Sequence, residues 1–207
     1  MKVLLFWGSG KDSAWALHRL QQRGVEVGAL LTITRESQFV PVHEVPISWV
    51  RQQAATIGIP LWEVSMSPAF SANYDALIED ALLEAKAQGF TAVAFGDIHL
   101  RGCREYKENL VRKAGLEPIF PLWTGDPAQS FALAQEMIEG GLEALVVAAD
   151  TAKIPSFIRY TPFTLAWIRA LPCFVDPCGE RGEFHTFCYG GPMFSEKLNF
   201  SLLSTIL

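Results

Sequence analysis

Six residues near the start of the chain, Gly8-Ser9-Gly10-Lys11-Asp12-Ser13, hold the ingredients of an anion-binding turn. An apolar burst at 2–7 precedes them, and a stretch of helical period at 13–23 follows, with Ala14, Leu17 and Leu20 on one face. In that setting the free N–H groups of the loop, the helix N-terminus and the Lys11 ammonium converge on one point. Glycines let the backbone come close to whatever binds there. The spacing is not that of the ATPase phosphate loop, because Asp12 separates Lys11 from Ser13 and only one residue separates Gly8 from Gly10. Nor is it the dinucleotide pattern, whose third glycine position is Ser13 here. A plain strand-to-helix turn with Asp12 or Ser13 as N-cap stands level with phosphate binding on these six residues. Asp12 acquires a task of its own only if a Mg²⁺ ion bridges it to phosphates.

A second candidate lies near the other end, in the run CGERGEFHT (178–186). Glu180 and Glu183 sit three apart around Gly182, followed by His185 and Thr186. Carboxylates in a tight loop can hold an ammonium ion, take a proton from it, or bind Mg²⁺. The plain alternative is a solvated acidic turn leading into a strand. Cys173, Cys178, His185 and Cys188 lack the Cys-x-x-Cys spacing of a structural zinc site, so core cysteines are the expectation. His43 reads as a surface loop residue unless it touches substrate, and His18 as a structural residue of a helix. Gly96 and Asp97 end an apolar burst where ligands bind in open α/β sheets. Arg104 and Glu108, four apart, form a supporting ion pair unless Arg104 reaches a phosphate.

These residues need a scaffold, and the apolar pattern supplies one. Strand-like bursts recur at 2–7, 27–33, 60–66, 91–97, 117–123 and 142–149, with helical stretches at 13–23, 46–58, 73–88, 104–114 and 127–140. Gly24, Gly58, Gly89 and Gly115 stand where helices close. Apolar strands alternating with helices predict an α/β fold: a doubly wound parallel sheet covered on both faces. From about 117 prolines become frequent and the alternation fades, so the reading is a nucleotide-type domain over 1–116 and a smaller C-terminal α/β subdomain over 117–207.

Composition bounds the rest. The chain has 207 residues, half of them hydrophobic and 19% charged, which suits a folded globular protein and excludes a disordered one. The net charge of −5, without Lys or Arg runs, argues against a nucleic-acid partner. No apolar run approaches the roughly 18 residues of a membrane helix, and the start does not read as a secretory signal. Four cysteines do not make a disulfide scaffold in a chain this long, so a reduced, cytoplasmic protein is the expectation.

The loop at 8–13 resembles the Ser-Gly-Gly-Lys-Asp-Ser motif of the PP-loop superfamily, the N-type ATP pyrophosphatases. Two further stretches, FGDIHLRGCREYKENL (95–110) and CGERGEFHTFCYGGPMF (178–194), resemble segments of the diphthine–ammonia ligase family. The resemblance runs over nearly the whole chain. It departs from the motif at its first positions, where Gly8-Ser9 stands in place of Ser-Gly. It implies an adenine nucleotide alpha-hydrolase-like fold and an ATP-dependent ligase. In that family ATP adenylates the carboxylate of diphthine on elongation factor 2, and ammonium then amidates it, giving AMP and pyrophosphate. By the same resemblance Gly8, Ser9, Gly10, Lys11, Asp12 and Ser13 hold ATP, with Gly96 and Asp97 in the same pocket. Asp12 would hold Mg²⁺. Lys11, Asp12, Glu180 and Glu183 would be catalytic, and Arg104, Glu180, Glu183, His185 and Thr186 would receive the substrate. Competing expectations are a PP-loop ligase acting on another acceptor and an ATP-binding module without catalysis. The aromatic-rich C-terminal part could support a homodimer.

Overall fold

The computed structural model describes residues 1–35, 38–41, 43–66 and 74–198. Residue 73 of the expected third helix and residues 199–207 of the expected C-terminal part lie outside them.

Five strands form the parallel body of a seven-stranded sheet: β1 (Lys2–Phe6), β2 (Glu26–Arg35), β5 (Leu61–Met66), β6 (Ala92–Ala94) and β7 (Glu117–Ile119). Their order is β5-β2-β1-β6-β7, with every neighbouring pair parallel. Two short strands, β3 (Phe39–Val40) and β4 (Val45–Pro46), make an antiparallel ribbon at the end of β2. The chain leaves β1 toward β2 on one side and returns to β6 on the other. The crevice for a ligand therefore opens at the carboxyl ends of β1 and β6.

Strand alternation divides the core between the two faces of this sheet. Val3, Leu5 and Trp7 pack with α1 (Lys11–Gln22) and α2 (Ile47–Ile57). Leu4 and Leu31 pack instead with α3 (Tyr74–Ala87) and α4 (Arg101–Lys113). Helices thus cover both faces, as the apolar strands require. Gly24, Gly58, Gly89 and Gly115 close their helices in the left-handed region, at φ values from +67° to +83°.

Beyond β7 come α5 (Ser130–Glu139), β8 (Glu143–Ala149), β9 (Thr161–Pro162), α6 (Leu165–Arg169) and β10 (Phe184–Gly190). Here one expectation is corrected. The burst at 142–149 does not extend the parallel sheet; as β8 it is the centre of a separate antiparallel sheet, β10-β8-β9. Along β8, Ala144 and Val146 on one face and Val147 on the other are buried, and the remaining residues are half-buried. The burst at 117–123 is likewise a strand only over Glu117–Ile119, after which Phe120 stacks on Phe95 with ring centroids 5.5 Å apart. β7 pairs in the large sheet although it lies past residue 116. One continuous core joins the two sheets, from Val3 and Leu17 to Val146 and Phe187.

Candidate active site

The β1–α1 loop is built from both ends of the chain. Gln53 of α2, buried on that helix's apolar face, accepts from Trp7 Nε1 (2.8 Å) and donates to the carbonyls of Ser9 (2.9 Å) and Cys188 (2.5 Å). The Ser9 carbonyl also accepts from the Cys188 amide of β10, at 2.9 Å. The loop turns at Ser9, whose φ is +66°. A left-handed conformation at a non-glycine residue costs about 1 kcal/mol. The Ser9 hydroxyl is fully buried without a hydrogen-bond partner and does not line the cavity, so a phosphate contact by that side chain is not what the fold presents.

Helix α1 begins at Lys11 with Gly10 as N-cap, so Asp12 and Ser13 stand inside the first turn instead of capping it. The cap comes from the far end of the sequence: Thr186 Oγ1 accepts from the Lys11 amide at 3.0 Å. A Cβ on Gly10 would stand 2.9 Å from the Thr186 carbonyl, and one on Gly96 would stand 2.9 Å from the Asp12 carbonyl carbon. Both glycines are there because backbone meets backbone.

The Lys11 side chain is buried and runs beneath the C-terminal motif. Its Nζ donates to Asp12 Oδ2 at 2.8 Å and to the Cys178 carbonyl, and it lies 5.3 Å from the centroid of the Phe184 ring. Burial works against the Lys11 charge, but Asp12, Cys178 and Glu180 together outweigh it and hold the ammonium above its ordinary range. Burial pushes the Asp12 carboxyl up despite Lys11. The other Asp12 oxygen, Oδ1, is buried with no partner.

Glu180 and Glu183 have different fates. Glu180 lines the cavity and accepts from the amides of Ile98 (2.8 Å) and His99 (3.3 Å), just past β6. Burial, then the negative charges of Asp12 and Asp97, push it above the usual carboxylate range. Glu183 is buried and turned inward, bracing its own loop by accepting from the amides of Asp176 (3.2 Å) and Arg181 (3.0 Å). It does not line the cavity.

Behind the motif lies a buried network that the sequence reading missed. Asp176 accepts from Ser130 Oγ, from the Cys178 amide (2.7 Å) and from His99 Nε2 (2.6 Å). Burial alone would raise Asp176, but these bonds hold it below its ordinary range. The Asp-Pro-Cys run at 176–178 carries the local signal of such an Asx-type turn. Ser130 and His99 carry none.

The cavity measures about 660 Å³ and opens at the carboxyl ends of β1, β2 and β6. The sequence-chosen residues Gly8, Gly10, Lys11, Asp12, Ser13, Gly96, Asp97, Glu180, His185 and Thr186 line it. Aromatic and aliphatic side chains, among them Phe6, Leu31, Ile78 and Phe95, complete the wall. Asp97 meets Lys107 through both carboxylate oxygens at 2.7 Å. Arg104 lies outside the lining; it bonds Glu108 at 2.7 Å and stacks over Phe120 and Trp123. His43, expected at the surface, lines the cavity instead. His18 stacks on Trp15 with centroids 4.5 Å apart. Cys178 and Cys188 are buried thiols pushed up to about 12, first by desolvation, while Cys103 and Cys173 are exposed. Among the described residues no helix is long and apolar enough to cross a membrane.

The donor set suits Mg²⁺ at one point. Asp12 Oδ1 is an unsatisfied carboxylate oxygen, and Mg²⁺ takes one or two carboxylates together with substrate phosphates.

Curated relatives described as diphthine–ammonia ligase, from Rattus norvegicus and Bos taurus, are each 22% identical over 96% of this chain and 82% of their own length. The corresponding protein of Mus musculus is 21% identical over the same shares. A crystal structure described as a predicted subunit of tRNA methyltransferase from Methanocaldococcus jannaschii is similar at a TM-score of 0.45, with 18% identity over 66% of this chain and 75% of that one. The model of the diphthamide synthase N-terminal domain matches residues 1–118, from β1 into β7, and the chain belongs to that family.

Proposed function

We propose that this protein is an ATP-dependent, amide-forming ligase that releases AMP and pyrophosphate. One observation carries the reading: the amide-rich β1–α1 loop and the Glu180 carboxylate face the same cavity, from opposite ends of the sequence. The loop has the chemistry of an anion cradle, and Glu180 that of a cation or proton acceptor. The apolar wall suits a planar base.

In this reading the polyphosphate lies over Gly8 and Gly10 at the α1 N-terminus. The lining holds two lysines against three carboxylates, Asp12, Asp97 and Glu180, so a polyanion needs further positive charge. Mg²⁺ held by Asp12 would neutralise charge on the phosphates. An acceptor carboxylate oxygen attacks the α-phosphorus; the new P–O bond forms as the α–β bridging bond breaks, and pyrophosphate leaves. Ammonia then attacks the acyl carbon, the C–N bond forms, and AMP departs with the C–O electron pair. Glu180 first binds the ammonium and takes its surplus proton, a role its raised affinity for protons favours. Lys11 and Thr186 keep the C-terminal motif seated on the loop. Diphthine on elongation factor 2 is the proposed acceptor, on the strength of the relatives' names.

The test is product analysis with Mg²⁺, ATP and ammonium, with and without elongation factor 2 carrying diphthine. AMP and pyrophosphate that depend on the factor support both the chemistry and the acceptor. AMP without the factor keeps the chemistry and moves the acceptor. ADP, or bound ATP returned unchanged, overturns the ligase reading.

A further inference from the structure

A cavity for a polyanion should offer a free cation, and among its described lining residues this one offers none. Lys11 is committed to Asp12 and the Cys178 carbonyl, and Lys107 to both oxygens of Asp97. The imidazole of His43 stands at the loop in their place. Its Nδ1 is 3.1 Å from the Thr186 carbonyl oxygen. A carbonyl only accepts, so Nδ1 carries the proton and Nε2 is left with a lone pair. That second edge faces the loop glycines. A Cβ on Gly8 would stand 3.7 Å from Nε2, and one on Gly10 would stand 3.1 Å from Cε1.

We propose that His43 is a further nucleotide-binding residue, which takes up a proton from solvent as the polyphosphate enters and then donates from Nε2 to a phosphate oxygen beside Gly8 and Gly10. The inference rests on the ATP reading above. Thr186 accepts from Nδ1 in both protonation states, so the ring need not turn when it becomes a cation. Desolvation first, and then His185 and Lys11, hold the ring down to about 3. The groups that bear on it are Lys11, paired with Asp12, on α1, and His185 on β10, whose ring centroid is 4.9 Å away. Glu44, the next residue in its own turn, is exposed. A phosphate oxygen at Nε2 brings negative charge directly to the ring and raises its proton affinity.

Calorimetric titration tests this with an ATP analogue blocked between the α and β phosphorus atoms, at pH 7 with excess Mg²⁺, in PIPES and in Tris. The dependence of the observed heat on buffer ionisation enthalpy counts protons. The unmodified protein should take up about one proton per nucleotide bound. His43→Gln should take up none and bind about tenfold more weakly, since it loses a charge-assisted hydrogen bond. His43→Asn keeps a donor for the Thr186 carbonyl and should behave the same way, which guards against a folding defect in the first variant. His185→Gln should still take up the proton. Binding by the unmodified protein without uptake, or uptake that survives both His43 substitutions, overturns the proposal while leaving the ATP reading intact. No binding of the analogue to any form overturns both.

Discussion

Four carboxylates of this protein fall into two regions, one lining the cavity and one buried behind the C-terminal motif. On the cavity side Asp12 and Glu180 are incompletely satisfied and hold their protons more tightly than usual. Behind the C-terminal motif Asp176 accepts from two side chains and an amide and holds its proton less tightly, while Glu183 is filled by two amides. All four are wholly or partly shielded from water, so burial alone does not separate them. The distribution of donors does: both amides on Glu180 reach Oε1 and Asp12 Oδ1 has no partner, whereas both oxygens of Glu183 and both of Asp176 are bonded. Charge that is fully bonded stabilises a fold, whereas charge left short of partners is available to a ligand.

The sharpest way to break this contrast is to neutralise one member of each region. Glu180→Gln should lower AMP formation by about 10² to 10⁴-fold, the usual worth of a positioned acid or base, with the thermal midpoint unchanged or slightly raised. A clear loss of stability would put Glu180 with the structural group. Asp176→Ala should cost about 3 kcal/mol or more in urea unfolding, because Ser130, His99 and the Cys178 amide lose their acceptor in a dry interior. A cost below about 1 kcal/mol would remove Asp176 from the structural group.

Titration separates the same two regions. A carboxyl whose proton affinity rises on folding makes the folded state bind more protons, so the contribution of Asp12 and Glu180 to stability should increase as pH falls from neutral toward the ordinary carboxylate range. Asp176 has the opposite sign. Its stabilisation is present above the unfolded pKa and is lost as pH falls through its lowered folded value. His43, whose proton affinity drops on folding, lowers stability over the same range, so the carboxylates are read from differences between variants. The stability of the unmodified protein relative to Glu180→Gln should rise as pH falls from neutral, and a difference that does not move with pH would contradict the assignment.

Smaller effects sharpen the picture around the loop. Ser9→Gly removes a left-handed serine and an unpartnered buried hydroxyl, and should stabilise the protein by about 1 kcal/mol. Nucleotide affinity should hold, since that side chain does not line the cavity. Arg104→Ala should leave turnover unchanged and cost about 0.5 kcal/mol, a partly exposed ion pair and ring contact being worth little. A tenfold loss of affinity there would return Arg104 to the site.

Several of these placements were legible before any coordinates. The GSGKDS loop lies at a strand-to-helix junction, and Gly96-Asp97 at a strand end, because apolar period and turn chemistry are local. Other features were not. Glu180 and Glu183 look alike in sequence, and only the packing of their loop against the residues after β6 turns one outward and the other in. His43 sits in an unremarkable loop, and its meeting with Thr186 spans 143 positions.

By itself the sequence determined the α/β character, the helices and their glycine stops, and a loop rich in free amides. Each of these follows from residue period, backbone freedom and neighbours a few positions away. Tertiary structure decided that 142–149 pairs antiparallel with the C-terminal strand, that Thr186 caps the first helix, and that Lys11 binds the far end of the chain. It also decided which carboxylates have enough partners. Those outcomes depend on which distant surfaces bury each other, and a hydrogen-bond donor brought in from more than a hundred residues away leaves no mark on the local sequence.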